Sequence, residues 1–163
     1  MSEIKPGDEA VDMALLFRSY HDRYKLDFER IGIAYTVKGP ETAVVQADDT
    51  HINSIFSNLI LNAKDALEEV ETGQAKEIKV TVERRDDKTG NIFVITVADN
   101  GPGIPEENLH EIFEPFYSTK PTTGTGLGLG VVKRLVQLYG GAIEVESKMG
   151  EGTVFSVALP CHN

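Results

Sequence analysis

The sequence predicts an α/β fold, a two-layer sandwich in which a mixed sheet carries its helices on one face. Two segments, Ile78–Glu83 and Ile92–Val97, have the period-two spacing that is typical of β-strands. A long apolar stripe with helical spacing precedes them over residues 48–70, and a glycine-rich segment at 124–130 leads into another helical pattern. The 163 residues suffice for one domain that buries roughly 70% of its unfolded surface.

Apolar spacing, turn residues and cap residues predict the order of the elements. In the N-terminal half we expect a helix, two strands and a longer helix, over residues 11–30, 33–37, 42–46 and 48–70. In the C-terminal half we expect a hairpin, a short helix, a longer helix and a closing hairpin, over residues 78–97, 108–113, 127–139 and 142–159. Gly39–Pro40 is expected to form a turn between the first two strands. Asp48 or Asp49 can cap the long helix, and residues 86–91 are expected to form the first hairpin loop.

The composition excludes several classes of protein. With 16 basic and 26 acidic residues the net charge is −10, which argues against a protein that coats nucleic acid or an anionic membrane. A single cysteine, Cys161, excludes an internal disulfide framework. No apolar run approaches the ~20 residues of a membrane span, and the N-terminus does not resemble a secretory signal. We therefore expect a soluble, intracellular domain without nucleic-acid or direct membrane contact.

Glycines concentrate in the last third of the chain. Eight of the 15 lie between Gly124 and Gly152, and Gly124–Gly130 has glycine at every second position before a predicted helix. Alternate glycines allow a ligand to approach the backbone closely, and the helix start offers unpaired N–H groups to an anion. The pattern is neither a P-loop nor a dinucleotide fingerprint. A flexible hinge is the alternative interpretation.

The predicted long helix carries polar residues along one edge of its apolar stripe. Asn58, Asn62 and Asp65 fall within an arc of about 60° at 100° per residue. Asparagine is a poor helix former, and its amide oxygen suits Mg²⁺, which often takes only one or two protein ligands. The alternative is a solvated helix edge.

A carboxylate ends the second strand of the first hairpin, where Asp99 precedes Asn100 and Gly101. Asn-Gly alone is a turn signal. A carboxylate beside glycines that allow close approach could instead accept a hydrogen bond from a nucleotide base.

Four segments, in this order and spacing, resemble the N, G1, F and G2 boxes of sensor histidine kinases: residues 58–63, 99–104, 112–117 and 124–130. Gly150–Phe155 resembles the closing hairpin of the same family, so the resemblance covers about residues 30–160. Residues 115–122 are most similar to kinases of the nitrogen-regulation and dicarboxylate-sensing type.

The resemblance implies a Bergerat (GHKL) ATP-binding fold, with a mixed, mostly antiparallel sheet and a mobile ATP lid over residues 106–125. It implies that residues 1–163 form one catalytic domain, with Asn62 as the Mg²⁺ ligand, Asn58 close to the phosphates and Lys120 on the γ-phosphate. Asp99 would accept from the adenine amino group. The implied nucleotide-binding residues are Asp65, Asp99, Gly101, Gly103, Ile104, Thr119, Gly124, Thr125, Gly126, Leu127, Gly128, Leu129 and Thr153.

Two positions depart from the pattern of many kinases. Asp65 stands where many kinases have a basic residue, and Ala66 where an aromatic residue often follows. Chaperone and mismatch-repair ATPases of the same superfamily have a glutamate base at the position of Asn58. An amide cannot take a proton from water at neutral pH, which favours a kinase over a hydrolase. A GHKL ATPase, an anti-sigma-type serine kinase and a non-catalytic binding module remain alternatives.

No histidine of the chain lies in a phosphoacceptor context, which would have an acidic residue next and a proline downstream; they are His21, His51, His110 and His162. We therefore expect the dimerisation and phosphoacceptor domain to be absent from this chain. The expected ligands are ATP or ADP with Mg²⁺, and the expected partners are that helical domain and, indirectly, a response regulator. The expected location is cytoplasmic, either free or as part of a membrane-bound sensor.

Overall fold

The computed structural model describes residues 4–71, 73–88, 90–114 and 128–161. Along the chain its elements are β1 (Glu9–Asp12), α1 (Met13–Arg23), α2 (Lys25–Ile31), β2 (Ile33–Lys38), β3 (Val44–Ala47), α3 (Asp49–Glu68), β4 (Lys76–Asp87), β5 (Gly90–Asp99), a 3₁₀ turn (Glu106–Asn108), α4 (Gly128–Leu138), β6 (Ala142–Lys148) and β7 (Gly152–Pro160). Within these ranges, none of the helices combines the length and the hydrophobicity that a membrane span requires.

The main sheet has five strands in the order β2-β4-β5-β7-β6. Among the strands that the structure describes, β2 and β4 pair in parallel, and the other neighbours in this sheet pair antiparallel. One face of the sheet is buried, with Val80, Ile95, Val97 and Val157 in the same core as the apolar side of α3. The sequence-based prediction of a mixed, mostly antiparallel sheet with its helices on one face is confirmed.

The predicted first helix over residues 11–30 is wrong in two respects. Val11 belongs to β1, which pairs with β3 in a separate two-stranded sheet, and Asp12 caps α1 by accepting from the Ala14 N–H at 3.0 Å. The helix is also interrupted at Tyr24, where φ is −107° and ψ is 12°. The aromatic side chains keep their helical spacing across this break, with ring centroids 5.6 Å apart for Tyr20 and Tyr24 and 5.9 Å for Tyr24 and Phe28.

The two strands predicted on either side of Gly39–Pro40 are present as β2 and β3. They join different sheets, since β2 pairs with β4 and β3 pairs with β1. Two further boundaries differ from the sequence-based expectation. The first hairpin is longer than expected, since β4 reaches Asp87 and β5 begins at Gly90. In place of a short helix over 108–113 there is a 3₁₀ turn followed by further turns, with i→i+3 bonds such as Glu111 N–H to Asn108 O at 2.9 Å.

Tyr139 links the end of α4 to two segments that are distant in the sequence through the hydrogen bonds of its hydroxyl. Its hydroxyl oxygen accepts from the backbone N–H of Gly7 at 3.0 Å and from that of Asp48 at 2.9 Å, and it lies 2.7 Å from Nδ1 of His51. Asp48 is the cap of α3, where its side chain accepts from the Thr50 N–H at 2.8 Å. The phenol therefore joins the start of α3 to the end of α4.

We expect Tyr139→Phe to lower the free energy of unfolding by about 1–3 kcal/mol, because two backbone N–H groups lose their acceptor. Urea or thermal unfolding measures this change. Tyr24→Phe is the matched control, since the Tyr24 hydroxyl makes no hydrogen bond within the described ranges, and its effect should stay within about 0.5 kcal/mol. Equal losses in the two variants would contradict the assigned role of Tyr139.

Candidate active site

The predicted functional residues that the structure describes lie along one side of α3. Its Asn58 faces the first residue of α4, because a Cβ added to Gly128 would lie 3.2 Å from the Asn58 Oδ1. Its Ala66 faces the loop after β5, because a Cβ added to Gly101 would lie 3.2 Å from the Ala66 Cβ. The two ends are about 12 Å apart along the helix, and Asn62 lies midway between them. The helix thus connects two recognition regions.

The first region contains Asp99 at the end of β5. Its Oδ1 accepts from the Gly101 N–H at 2.9 Å. Burial raises the pKa of Asp99 to about 6, while backbone N–H donors from Gly101 and Thr153 partly offset that rise. At pH 7 the carboxylate is therefore mostly ionised, in a desolvated position where it can accept from a donor on a ligand.

The loop after β5 lies on the β6–β7 turn. The Gly150 N–H donates to Pro102 O at 2.8 Å, and the Ile104 N–H donates to Ser147 Oγ at 2.7 Å. Gly103 has a φ of +83°, and a Cβ there would collide with the backbone oxygen of Lys148. Glycine at 103 is therefore required for this loop to pack against the hairpin.

The second region is at the start of α4. The Asn58 Nδ2 donates to the Ser54 carbonyl at 2.6 Å, one turn earlier on α3. This hydrogen bond fixes the amide with its oxygen close to Gly128, so a side chain at position 128 would press on it. The first turn of α4 has backbone N–H groups without partners inside the helix, and such groups favour anions.

The site therefore has one region suited to a nucleotide base, at Asp99, and another suited to phosphates, at the start of α4. A family model described as "Histidine kinase-, DNA gyrase B-, and HSP90-like ATPase" matches residues 47–163. The chain belongs to this ATPase family. The match includes both recognition regions and all of α3.

Several proteins that are similar to this chain are named as histidine kinases. The sensor histidine kinase ZraS of Salmonella typhi is 40% identical over 116 residues, covering 71% of this chain and 23% of that protein. A nucleotide-free catalytic domain of histidine kinase ThkA has a TM-score of 0.77 and 32% identity, covering 94% of this chain and 95% of that one. ThkA in complex with response regulator protein TrrA has a TM-score of 0.74 and 29% identity, covering 95% and 42%. The chain spans about a quarter of the length of ZraS.

Several predicted site residues are placed close together. Asp99, Gly101 and Thr153 lie together at the ends of β5 and β7, where Asp99 and Thr153 are register partners. Gly103 and Ile104 follow in the same loop, and Ile104 packs against the core. Leu129 lies in the first turn of α4, where it is partly buried against the core. The remaining predictions lie outside the described residues: Thr119, Lys120, Gly124, Thr125, Gly126 and Leu127, with most of the expected lid.

The residues present fit a magnesium ion that is held chiefly by a nucleotide. Within the described ranges, no group of three or more His, Cys, Asp or Glu side chains could hold a metal ion. A Mg²⁺ ion at this site would therefore need phosphate and water as most of its ligands, which is usual for this ion. Asn62 is half-buried between the two regions, whereas the Asp65 Oδ1 lies 3.6 Å from the Lys64 Nζ. Asn62 is therefore the better candidate for a metal ligand.

Two residues near the site were not found by sequence reasoning. The sequence indicates only a turn or the G1 box at Asn100, yet its side chain accepts from the Glu77 N–H at 2.8 Å and donates to Ala75 O at 2.7 Å. It fixes the start of β4 beside the site. Ser147 contacts both the loop after β5 and Thr153. No sequence signal distinguishes this serine from others in the chain.

Proposed function

We propose that this chain is the ATP-binding catalytic domain of a sensor histidine kinase, which donates the γ-phosphoryl group of Mg²⁺-ATP to a histidine on a separate dimerisation and phosphoacceptor segment. The observation that carries the proposal is the arrangement of a base region at Asp99 and a phosphate region at Asn58 and Gly128 along α3. The names of ZraS and ThkA support it. A response regulator is the proposed downstream partner, by analogy with the ThkA–TrrA complex.

In the proposed mechanism, Asp99 accepts from the adenine amino group and orients the nucleotide along α3. The start of α4 lies beside the phosphates, with Asn58 next to them. Gly124–Leu127, which lie outside the described residues, would add backbone N–H contacts to the phosphates. Mg²⁺, when bound through Asn62, would offset the phosphate charge. Lys120, which lies outside the described residues, would stabilise charge that develops on the γ-phosphoryl group. Catalysis then depends on positioning the acceptor histidine in line with that group. The location proposed for the domain is the cytoplasm, where ATP is available.

A hydrolytic ATPase is less well supported. Such an enzyme needs a base for the attacking water, and Asn58 occupies the position where related ATPases have a glutamate. Its amide nitrogen already donates to the Ser54 carbonyl, and an amide cannot accept a proton from water at neutral pH.

The isolated chain is expected to bind ATP, hydrolyse it slowly and fail to phosphorylate itself, because Asn58 offers water no base and none of the four histidines lies in a phosphoacceptor sequence context. Labelled ATP should give acid-labile phosphate only after the parent protein's helical acceptor segment is added. Rapid hydrolysis by the chain alone would favour an ATPase, and acid-stable phosphate on a partner would favour a serine kinase. Stoichiometric phosphorylation of His21, His51, His110 or His162 would contradict the separate acceptor.

A further inference from the structure

Three polar side chains form a row across neighbouring strands at one end of the main sheet. Asp99 of β5 is the register partner of Thr153 on β7, and Thr153 is the register partner of Ser147 on β6. Register partners point to the same face of a sheet, here the face that packs on the helices. Thr153 is 5% exposed, so its hydroxyl must find its partners inside the protein or in a bound ligand.

The hydrogen bonds of Ser147 determine where the hydroxyl proton of Thr153 goes. Ser147 Oγ accepts from the Ile104 N–H at 2.7 Å, lies 2.9 Å from Gly152 O and lies 2.8 Å from Thr153 Oγ1. A serine hydroxyl has one proton, and a carbonyl oxygen can only accept. The Ser147 proton therefore goes to Gly152 O. The short contact with Thr153 then requires the Thr153 hydroxyl to donate to Ser147.

We propose that Ser147 is a positioning residue for base recognition, because it takes the only hydroxyl proton of Thr153 and leaves Thr153 as a fixed acceptor beside Asp99. This inference rests on the proposed function. A purine that carries an amino group at C6 gives the two acceptors a donor, directly or through one water molecule. A purine with a keto oxygen at C6 places a third acceptor where adenine has its amino group, and its N1 proton lies one ring position away, so such a purine is bound more weakly. Ser147 thereby contributes to the choice of adenine without contacting it.

The alternative is that Ser147 merely holds the loop after β5 in place through the Ile104 N–H. Loss of that contact would weaken all nucleotides alike, since they share the ribose and the phosphates. Loss of the fixed acceptor acts differently. In Ser147→Ala, the Thr153 hydroxyl is free to rotate and to donate to a keto oxygen. The two explanations therefore differ in base discrimination rather than in affinity.

The test compares ADP with IDP by calorimetry at pH 7.5; IDP has a keto oxygen at C6 and a proton on N1, where ADP has an amino group and a lone pair. In Ser147→Ala we expect the ratio of the two affinities to fall about five- to tenfold, the effect of one hydrogen bond. Ser147→Thr keeps the hydroxyl and should restore the wild-type ratio. Ser156→Ala is the matched control, since Ser156 lies on β7 opposite Thr96 and Glu144, and it should leave the ratio unchanged. If Ser147→Ala does not fold, Ser147→Cys keeps the side-chain size and should lower the ratio.

A double-mutant cycle then shows whether Ser147 acts through Thr153. In a Thr153→Val background there is no hydroxyl to hold, so adding Ser147→Ala should leave the ADP to IDP ratio unchanged. A wild-type ratio in Ser147→Ala, or an equal further fall in the Thr153→Val background, would overturn the inference and leave the proposed function intact. A wild-type chain that binds no ADP would overturn both.

Discussion

Replacing Asn62 with alanine is expected to slow phosphoryl transfer to an added acceptor segment more than about a hundredfold, because the bound metal loses its candidate protein ligand. Asn62 lies midway on α3 between Asp99 and Gly128, where the phosphates of a bound nucleotide would lie. The same variant should lose the gain in ATP affinity that Mg²⁺ provides. It should keep its affinity for ADP measured with excess EDTA, since the base region is untouched.

Two variants make this result specific to the metal. Asn62→Asp keeps an oxygen ligand and should retain part of the Mg²⁺-dependent affinity. Ser57 lies on α3 about 140° around the helix axis from Asn62, so Ser57→Ala should behave like the wild type. An unchanged Mg²⁺ dependence in Asn62→Ala would show that another residue binds the metal.

The periodic parts of the fold could be predicted from the sequence, and the irregular N-terminal part could not. The helix over residues 48–70 was predicted because one apolar side is repeated over five turns, and Asp48 is indeed its cap. The start of the helix predicted over residues 11–30 is wrong because the apolar residues keep helical spacing through β1, where Val11 instead pairs with Val45. Which strand a short segment joins depends on tertiary contacts that local spacing does not encode.

The site could be predicted as far as its chemistry is visible in residue types. Asp99 and Asn58 were found because a carboxylate at a strand end and paired asparagines on a helix need an explanation. Ser147 and Tyr139 were missed because their roles arise from contacts with residues 43 and 91 positions away, Ile104 and Asp48. A hydroxyl that is ordinary in the sequence acquires its role only where the fold assembles several partners around it.

Asp99→Asn is expected to weaken ADP binding at pH 7.5 about tenfold or more, because the base loses a charge-assisted hydrogen bond. The wild-type affinity should also depend on pH. With a pKa of about 6, Asp99 is mostly ionised at pH 7 and mostly protonated at pH 5. A protonated carboxyl accepts poorly, so this group alone should weaken ADP binding about tenfold between those values. The ADP affinity of Asp99→Asn should lack this pH dependence and keep only the pH dependence that comes from the ADP phosphates.

The same substitution should stabilise the nucleotide-free domain at neutral pH. Burial raises the pKa of Asp99 from 3.8 to about 6, so its stabilising contribution is complete below pH 3.8 and is lost as the pH rises through 6. Asparagine keeps an oxygen for the Gly101 N–H and removes the buried charge, so Tm without nucleotide should rise at pH 7 but not at pH 4. Asp22→Asn is the matched control, because its side chain is 90% exposed. A lower Tm for Asp99→Asn at pH 7 would mean that the Asp99 carboxylate stabilises the fold. The expected higher Tm would mean that the buried charge destabilises the fold and serves nucleotide binding instead.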